Sequence, residues 1–324
     1  MRKKTKDQKP LFFLFTCVKD GNNYIEKLLD SLIKQTRKNF VHFIYEDGSG
    51  EPLGEMINKY KRRVLSLEEP YDVVYEYNKT NLGLTKATQY CISKCTCPYF
   101  IWIDCDNYVD IHFFEELERL YRKNKGALLL RSTLYNYGSD KLYYANRGSI
   151  EDAYNSYQLG LFIRRKYYYS FFAVNTKKYK LINPSNIMID EKGFYNDEQV
   201  LTLCLLQSRK TPLSKKAKGY FLVRERQESS QLTLPLDSFR NLQIKLCNII
   251  NKEMGKKMSV IYEIKDKYDM LFQLYKNDFS KSLNIVKDIK RLSKEYNISL
   301  KNYYNYSLCK IFLKMYYWRI KNNG

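Results

Sequence analysis

The sequence predicts an α/β fold: a mostly parallel sheet flanked by helices, followed by an all-helical C-terminal region. Three observations predict it. Strand-length apolar runs alternate with helical periodicities through residue 124, in the order β-α-β-α-β-α-β-α. The first run, LFFLFTCV at 11–18, has no polar face, as expected of a strand covered on both sides. The polar segments KDGNN, EDGSG, NKTNLG and DCDN all follow strands. In a parallel sheet they converge on the edge where ligands bind.

Each element has its own signal. A basic tail occupies 1–10. After KDGNN, Asn23 and Glu26 suggest a capping box, and Ile25, Leu28, Leu29, Leu32 and Ile33 repeat at helical spacing. FVHFIYE at 40–46 is the second strand, and EDGSGEP is a turn. Leu53, Met56, Ile57 and Tyr60 mark a short helix, and DVVYEY at 72–77 a third strand. A helix is expected over Leu84–Lys94, then the strand PYFIWI at 98–103, then a helix over 110–124 with Phe113, Phe114, Leu117 and Leu120 on one face. Further strands are expected at 127–135 and 219–224, and an acidic helix start at 194–207. From Pro235 the pattern is helical, in segments 236–251, 258–276, 282–296 and 303–321. These boundaries divide the chain into the tail at 1–10, an α/β domain at 11–235 and a helical region at 236–324.

The chain has 324 residues, and 56 Lys and Arg against 35 Asp and Glu leave a net charge of +21. That surplus suits an anionic partner: nucleic acid, an anionic membrane face or a phosphorylated substrate. Tyr occurs 31 times, which reads as coding bias. Several of the eight cysteines sit in apolar runs, as reduced buried thiols do. Cys91, Cys95 and Cys97 do not match a common zinc spacing, and there are only two His. No apolar run reaches the ~20 residues that span a bilayer. The expected setting is cytoplasmic, either soluble or peripheral on the inner face of the membrane.

The stretch PYFIWIDCDN ends an apolar strand with two carboxylates one residue apart. In an extended strand Asp104 and Asp106 would point to one side, a pairing suited to a cation and a phosphate. A solvated acidic turn is the alternative. Asp197 and Glu198 stand at the front of an apolar helix, where an acid could serve as general base or simply favour the helix dipole. Arg224 and Arg226 alternate onto one side of an extended segment, suited to a diphosphate or to a solvated basic edge. His42 and Trp102 read as packed side chains.

As an ordered set, these segments resemble family 2 glycosyltransferases. FTCVKDGNNYIEKLLDSLIKQTRKNFVHFIYEDGSGE is similar to the family's opening, NLGLTKATQYCISKCTCPYFIWIDCDN to its block ending in the D-x-D motif, NDEQVLTLCL to its acidic helix, and FLVRERQESSQLT to its closing strand and loop. The resemblance covers 11–233. It implies a GT-A fold with a Rossmann-like sheet, and inverting transfer of a hexosyl or N-acetylhexosaminyl group from a nucleoside diphosphate sugar, with UDP the expected nucleotide. It implies Mn2+ or Mg2+ as cofactor. By position it puts Thr16, Val18, Asp47, Asn81, Gly83 and Lys86 around the nucleotide. Asp106 becomes the direct metal ligand with Asp104 beside it, and Asp197 or Glu198 the base. The acceptor expected is a glycan or lipid-linked hydroxyl in surface polysaccharide synthesis. The chain departs from the family at Asp20, often Asn; at Glu46, often Asp; and at Asn196-Asp197-Glu198, usually Glu-Asp. Two other readings stay open: a nucleotidyltransferase on a similar fold, and a basic nucleic-acid-binding protein with no enzymatic activity. The single Gly and Lys of KDGNN speak against the first, and no nucleic-acid signature supports the second.

Overall fold

The computed structural model describes residues 9–137, 171–183 and 211–222, the stretch 279–297, and isolated positions at 185, 204, 260, 263, 264 and 267. The chain divides into two compact units, one of 1–147 and 167–233, the other of 148–166 and 234–324.

The first unit is built on an eight-stranded sheet. Its strands are β1 (Phe12–Val18), β2 (Phe40–Asp47), β3 (Val73–Asn78), β4 (Tyr99–Trp102), β5 (Tyr108–Val109), β6 (Leu129–Tyr137), β7 (Ala173–Asn175) and β8 (Leu213–Leu222). Their order across the sheet is β3-β2-β1-β4-β7-β6-β8-β5. β3, β2, β1 and β4 run parallel, with Phe12 opposite both Phe40 and Tyr99. β7 pairs antiparallel with β4 and β6. β8 then runs parallel to β6, and β5 closes the edge antiparallel to β8. The sheet is therefore mixed, with its parallel half at the N-terminal end of the chain, which bears out the α/β expectation.

Helices α1 (Ile25–Ile33), α2 (Gly54–Leu65), α3 (Leu84–Lys94), α4 (Phe113–Lys123) and α5 (Thr176–Ile182) link the strands. Side chains alternate across a strand, so β1 feeds two cores. Phe12, Leu14 and Val18 share a buried cluster with Leu28, Ile57 and Phe114 from α1, α2 and α4. Phe40 stacks on Phe114 with ring centroids 4.1 Å apart. On the other face Phe13 stacks on Phe43 and Phe15 on Trp102, and the Cys17 thiol meets Cys91 of α3 at 3.7 Å. Trp102 is thus a core residue, as read from the sequence.

Several details differ from the sequence reading. Asn23 does not cap α1. Tyr24 is its N-cap without a side-chain bond, and the Tyr24 and Ile25 N–H groups donate to the Gly21 carbonyl. That tight turn needs glycine: a Cβ on Gly21 would lie 2.5 Å from Val18 and 3.3 Å from the Cys105 sulfur. β4 stops at Trp102, so Asp104 and Asp106 are not strand residues, and strand periodicity does not align them. Residues 104–107 instead form a turn closed by the Asn107 N–H on the Asp104 carbonyl at 3.1 Å. β8 begins at Leu213, earlier than expected: its pairing with β6 shifts register after Leu213, and from Lys216 its residues alternate, Lys216 exposed while Ala217, Gly219 and Phe221 are buried.

The loop before β2 is fastened to α4 by an ion-pair cluster. Glu118 accepts from Arg37 at 2.7 Å and Asn39 at 2.6 Å, and Arg122 also pairs with it. Burial opposes its ionised form, but the hydrogen bonds from the two arginines win and hold its carboxyl below the usual range.

In the second unit, α6 (Phe279–Glu295) falls where a helix was expected. Ile289 and Leu292 are buried at helical spacing, and Lys267 pairs with Asp288 at 3.0 Å.

His42 lies at the centre of a buried polar chain. Its ring nitrogens are 3.2 Å from Thr16 Oγ1 and from Tyr60 Oη, and Tyr60 Oη is 2.6 Å from Tyr71 Oη. Complete burial pushes its pKa down to about 3. The ring stays neutral in the folded state while the unfolded chain takes up a proton below pH 6.5, so stability falls with pH across the window from 6.5 to about 3. Between pH 7 and pH 5 this group should remove about 2 kcal/mol of stability. The His42→Gln protein should show a pH dependence smaller by that amount in urea unfolding. An unchanged pH dependence would refute the assignment.

Candidate active site

Four loops meet at the carboxyl ends of β1, β2, β3 and β4, and each is tied to a neighbour by named bonds. At the end of β1, Asp20 adopts a left-handed backbone with φ +50°, a conformation that Asp and Asn tolerate. Its N–H donates to Ser49 Oγ at 3.0 Å and its carboxylate accepts from the Gly50 N–H at 3.0 Å. The Asp in place of Asn thus keeps both the backbone conformation and the bond between the first two loops.

The end of β2 supplies two carboxylates. Glu46 is fully buried and accepts the Leu53 N–H at 3.0 and 3.2 Å and the Tyr75 hydroxyl at 2.5 Å. Asp47, 5% exposed, accepts the Leu82 and Gly83 N–H groups, both at 2.8 Å, one on each oxygen. Asn81 Oδ1 also accepts the Gly83 N–H at 2.8 Å. Gly48 and Gly83 have φ +73° and +85°. A Cβ on Gly48 would lie 2.5 Å from the Asn81 backbone nitrogen, so glycine lets the two loops touch.

The structure places the expected nucleotide-side residues as follows. Val18 is buried at the end of β1, and Thr16 lies deeper, fully buried, with its hydroxyl on His42. Asp47, Asn81 and Gly83 form one hydrogen-bonded unit, and Lys86 is exposed on the first turn of α3. Asp104 and Asp106 are half-buried on their turn, and Cys105 packs inward against the core. Asp197, Glu198, Arg224 and Arg226 lie outside the described residues.

Two residues matter here that the sequence reading passed over. Glu46 registered only as a departure from a motif. Asn107, the last residue of DCDN, is fully buried and joins the Asp104 turn to β8. Its signal was its position, directly after the acidic pair.

The donor set at the turn is two carboxylates and no sulfur or nitrogen. Among the described residues no three His, Cys, Asp or Glu side chains form a group able to hold a metal. Oxygen ligands in that small number fit a hard divalent cation that draws the rest of its shell from substrate phosphates.

A model of the family described as Glycosyl transferase family 2 matches residues 14–187, more than half of the chain. The protein belongs to this family. Over 104 residues it is 29% identical to the glycosyltransferase GlyA of Streptococcus pneumoniae serotype 4, a match covering 31% of this chain and 13% of that protein. Over 109 residues it is 29% identical to an uncharacterized glycosyltransferase of Rickettsia typhi, covering 34% of this chain and 30% of that one. The chain thus matches less than a third of the length of these relatives. Among solved structures it is similar to Staphylococcus aureus TarS 1–349 in complex with UDP-GlcNAc, with a TM-score of 0.64 at 14% identity over 87% of this chain and 81% of that one. The same protein in complex with UDP gives 0.58 at 14% identity over 78% and 69%. These likenesses establish a GT-A-like fold. The family match favours the glycosyltransferase reading over the nucleotidyltransferase and nucleic-acid readings.

Removing the Asp47 carboxylate takes the acceptor from the Leu82 N–H and leaves the Gly83 N–H with Asn81 Oδ1 alone. Asp47→Ala should lower stability by about 1–3 kcal/mol, and Asp47→Asn by less, since one acceptor oxygen remains. Chemical denaturation of the two variants beside wild type checks the order. Equal stability in all three would show that the loop does not depend on these bonds.

Proposed function

We propose that this glycosyltransferase moves a sugar, with inversion, from a UDP-sugar to a hydroxyl of a glycan or lipid-linked acceptor in surface polysaccharide synthesis. The observation that carries the reading is the half-exposed Asp104–Asp106 turn beside loops that Asp20, Asp47 and Gly48 lock together. The TarS structures similar in fold bind UDP and UDP-GlcNAc, which favours UDP as the nucleotide.

In this reading the loop of Asn81 and Gly83 flanks the base, with Asp47 fixing the loop from beneath. Lys86 faces the phosphates. Asp106 and Asp104 would hold Mn2+ or Mg2+, and such an ion neutralises charge growing on a diphosphate leaving group. Arg224 and Arg226 add guanidinium contacts to the same oxygens. Asp197 or Glu198 takes the proton of the acceptor hydroxyl as it attacks the anomeric carbon. One base is enough for inversion, because the acceptor enters opposite the leaving group.

The net charge of +21 suits an anionic membrane face carrying a lipid-linked acceptor. Among the described residues no helix is long and apolar enough to cross a membrane.

Thermal melts with a panel of nucleoside diphosphates, with and without Mn2+, test the donor site. UDP with Mn2+ should raise the midpoint, since a ligand at 100 times its Kd adds about 2.7 kcal/mol. The rise should vanish in Asp106→Ala. No shift with any nucleotide would refute the reading. Asp197→Asn and Glu198→Gln then separate the candidate bases. The true base should lose roughly 10²–10⁴ in kcat while nucleotide binding persists, and the other should not.

A further inference from the structure

Asn107 is the fourth residue of DCDN and has no solvent exposure. Its side chain makes two bonds of opposite sense. Nδ2 donates to the Asp104 carboxylate at 3.3 Å, and Oδ1 accepts the Leu222 N–H at 3.0 Å. The amide's orientation follows from its partners, because a carboxylate only accepts and a backbone N–H only donates. An aspartate here could satisfy Leu222 but would set a second carboxylate against Asp104. An aliphatic residue would satisfy neither partner.

The backbone adds further ties at the same place. The Asn107 N–H closes the turn on the Asp104 carbonyl. The next two residues pair with β8, Tyr108 opposite Tyr220 and Val109 opposite Gly219. The Tyr108 and Tyr220 rings stack 4.6 Å apart and 7° from parallel. Gly219 lets β8 pass close to the core, since a Cβ there would lie 2.4 Å from the Phe171 ring. The acidic turn is thereby fastened to the last residue of β8, two positions before Arg224 in the sequence.

We propose that Asn107 is a positioning residue that sets the Asp104 carboxylate for the donor's divalent cation, using the end of β8 as its anchor. This rests on the donor-site reading above. It assigns to one amide the coupling between the acidic turn and the strand leading into the Arg224–Arg226 segment.

Two substitutions separate orientation from simple anchoring. Asn107→Asp keeps the acceptor for Leu222 and loses the donor to Asp104. Asn107→Ala loses both. Mn2+ binding to the full chain in the presence of UDP is followed by the electron paramagnetic resonance of free Mn2+, with thermal melts recorded on the same samples. At a temperature where its melt shows it folded, Asn107→Asp should weaken Mn2+ binding by roughly 10–100-fold, the usual effect of removing a partner that orients a ligand, and its midpoint without ligand should fall because a second carboxylate is buried beside Asp104. Asn107→Ala should weaken binding and lower the midpoint as well. Wild-type affinity in Asn107→Asp overturns the proposal and leaves Asn107 as an anchor. If Asn107→Asp does not fold, Asn107→Ser, which adds no charge and is too short to span both partners, is read by the same criterion. A wild-type protein that binds no Mn2+ with any nucleoside diphosphate overturns the donor-site reading and this inference together. Binding by wild type beside equal binding by the variant overturns this inference alone.

Discussion

Two adjacent carboxylates at the end of β2 point to opposite faces of the sheet, and each ends at the start of a different helix. Glu46 accepts the N–H of Leu53, the N-cap residue of α2. Asp47 accepts that of Gly83, the N-cap residue of α3. Neither helix has a side-chain cap of its own. The first N–H groups of a helix have no partner within it, and a negative charge there also meets the positive end of the dipole. β2 thus supplies from its own end what both helices lack. The arrangement works because successive strand side chains alternate.

The family's loops depend on this arrangement. Once Asp47 fixes Leu82 and Gly83, Gly48 lies against the Asn81 backbone and the NLG loop has one path across the end of the sheet. Asp20 fastens the β1 loop to Ser49 and Gly50 in the same way. A nucleotide site needs such pre-set walls, because ordering loops during binding would consume interaction energy. The Glu in place of an Asp also gains a physical account. The longer side chain takes the Leu53 N–H on both oxygens and still accepts from Tyr75, so the substitution preserves a buried carboxylate whose oxygens are used.

The parts legible in sequence were those where burial writes a period. β1, covered on both faces, is an unbroken apolar run, and α3 and α4 carry periodic apolar positions, so these elements fall within a few residues of expectation. β5 has two residues and β7 three, too few to carry a period, and their pairing comes from distant strands. The lysines of β8 conceal a strand because only its other face is buried. At the site, the acidic pair was legible by composition while its geometry was not: a turn, rather than an extended strand, carries Asp104 and Asp106. Asn107 escaped notice because its role depends on Leu222, 115 positions away.

The abundance of tyrosine, which reads first as coding bias, has a structural consequence. A buried phenol costs stability unless its hydroxyl is paired. In the first unit the hydroxyls of Tyr60 and Tyr71 pair with each other, that of Tyr75 with Glu46, that of Tyr90 with Glu76, and that of Tyr99 with the Ala127 carbonyl. Phenylalanine would fill the same volume in each place without the bond. The bonds join separate elements: β3 to β2, α3 to β3, and β4 to the turn before β6. A composition that supplies tyrosine where an apolar ring would pack therefore adds polar cross-links to a hydrophobic core. The Thr16–His42–Tyr60–Tyr71 chain is the longest of these and runs from the interior of β1 outward. It spends the hydroxyl of Thr16 inside the protein, on the ring of His42.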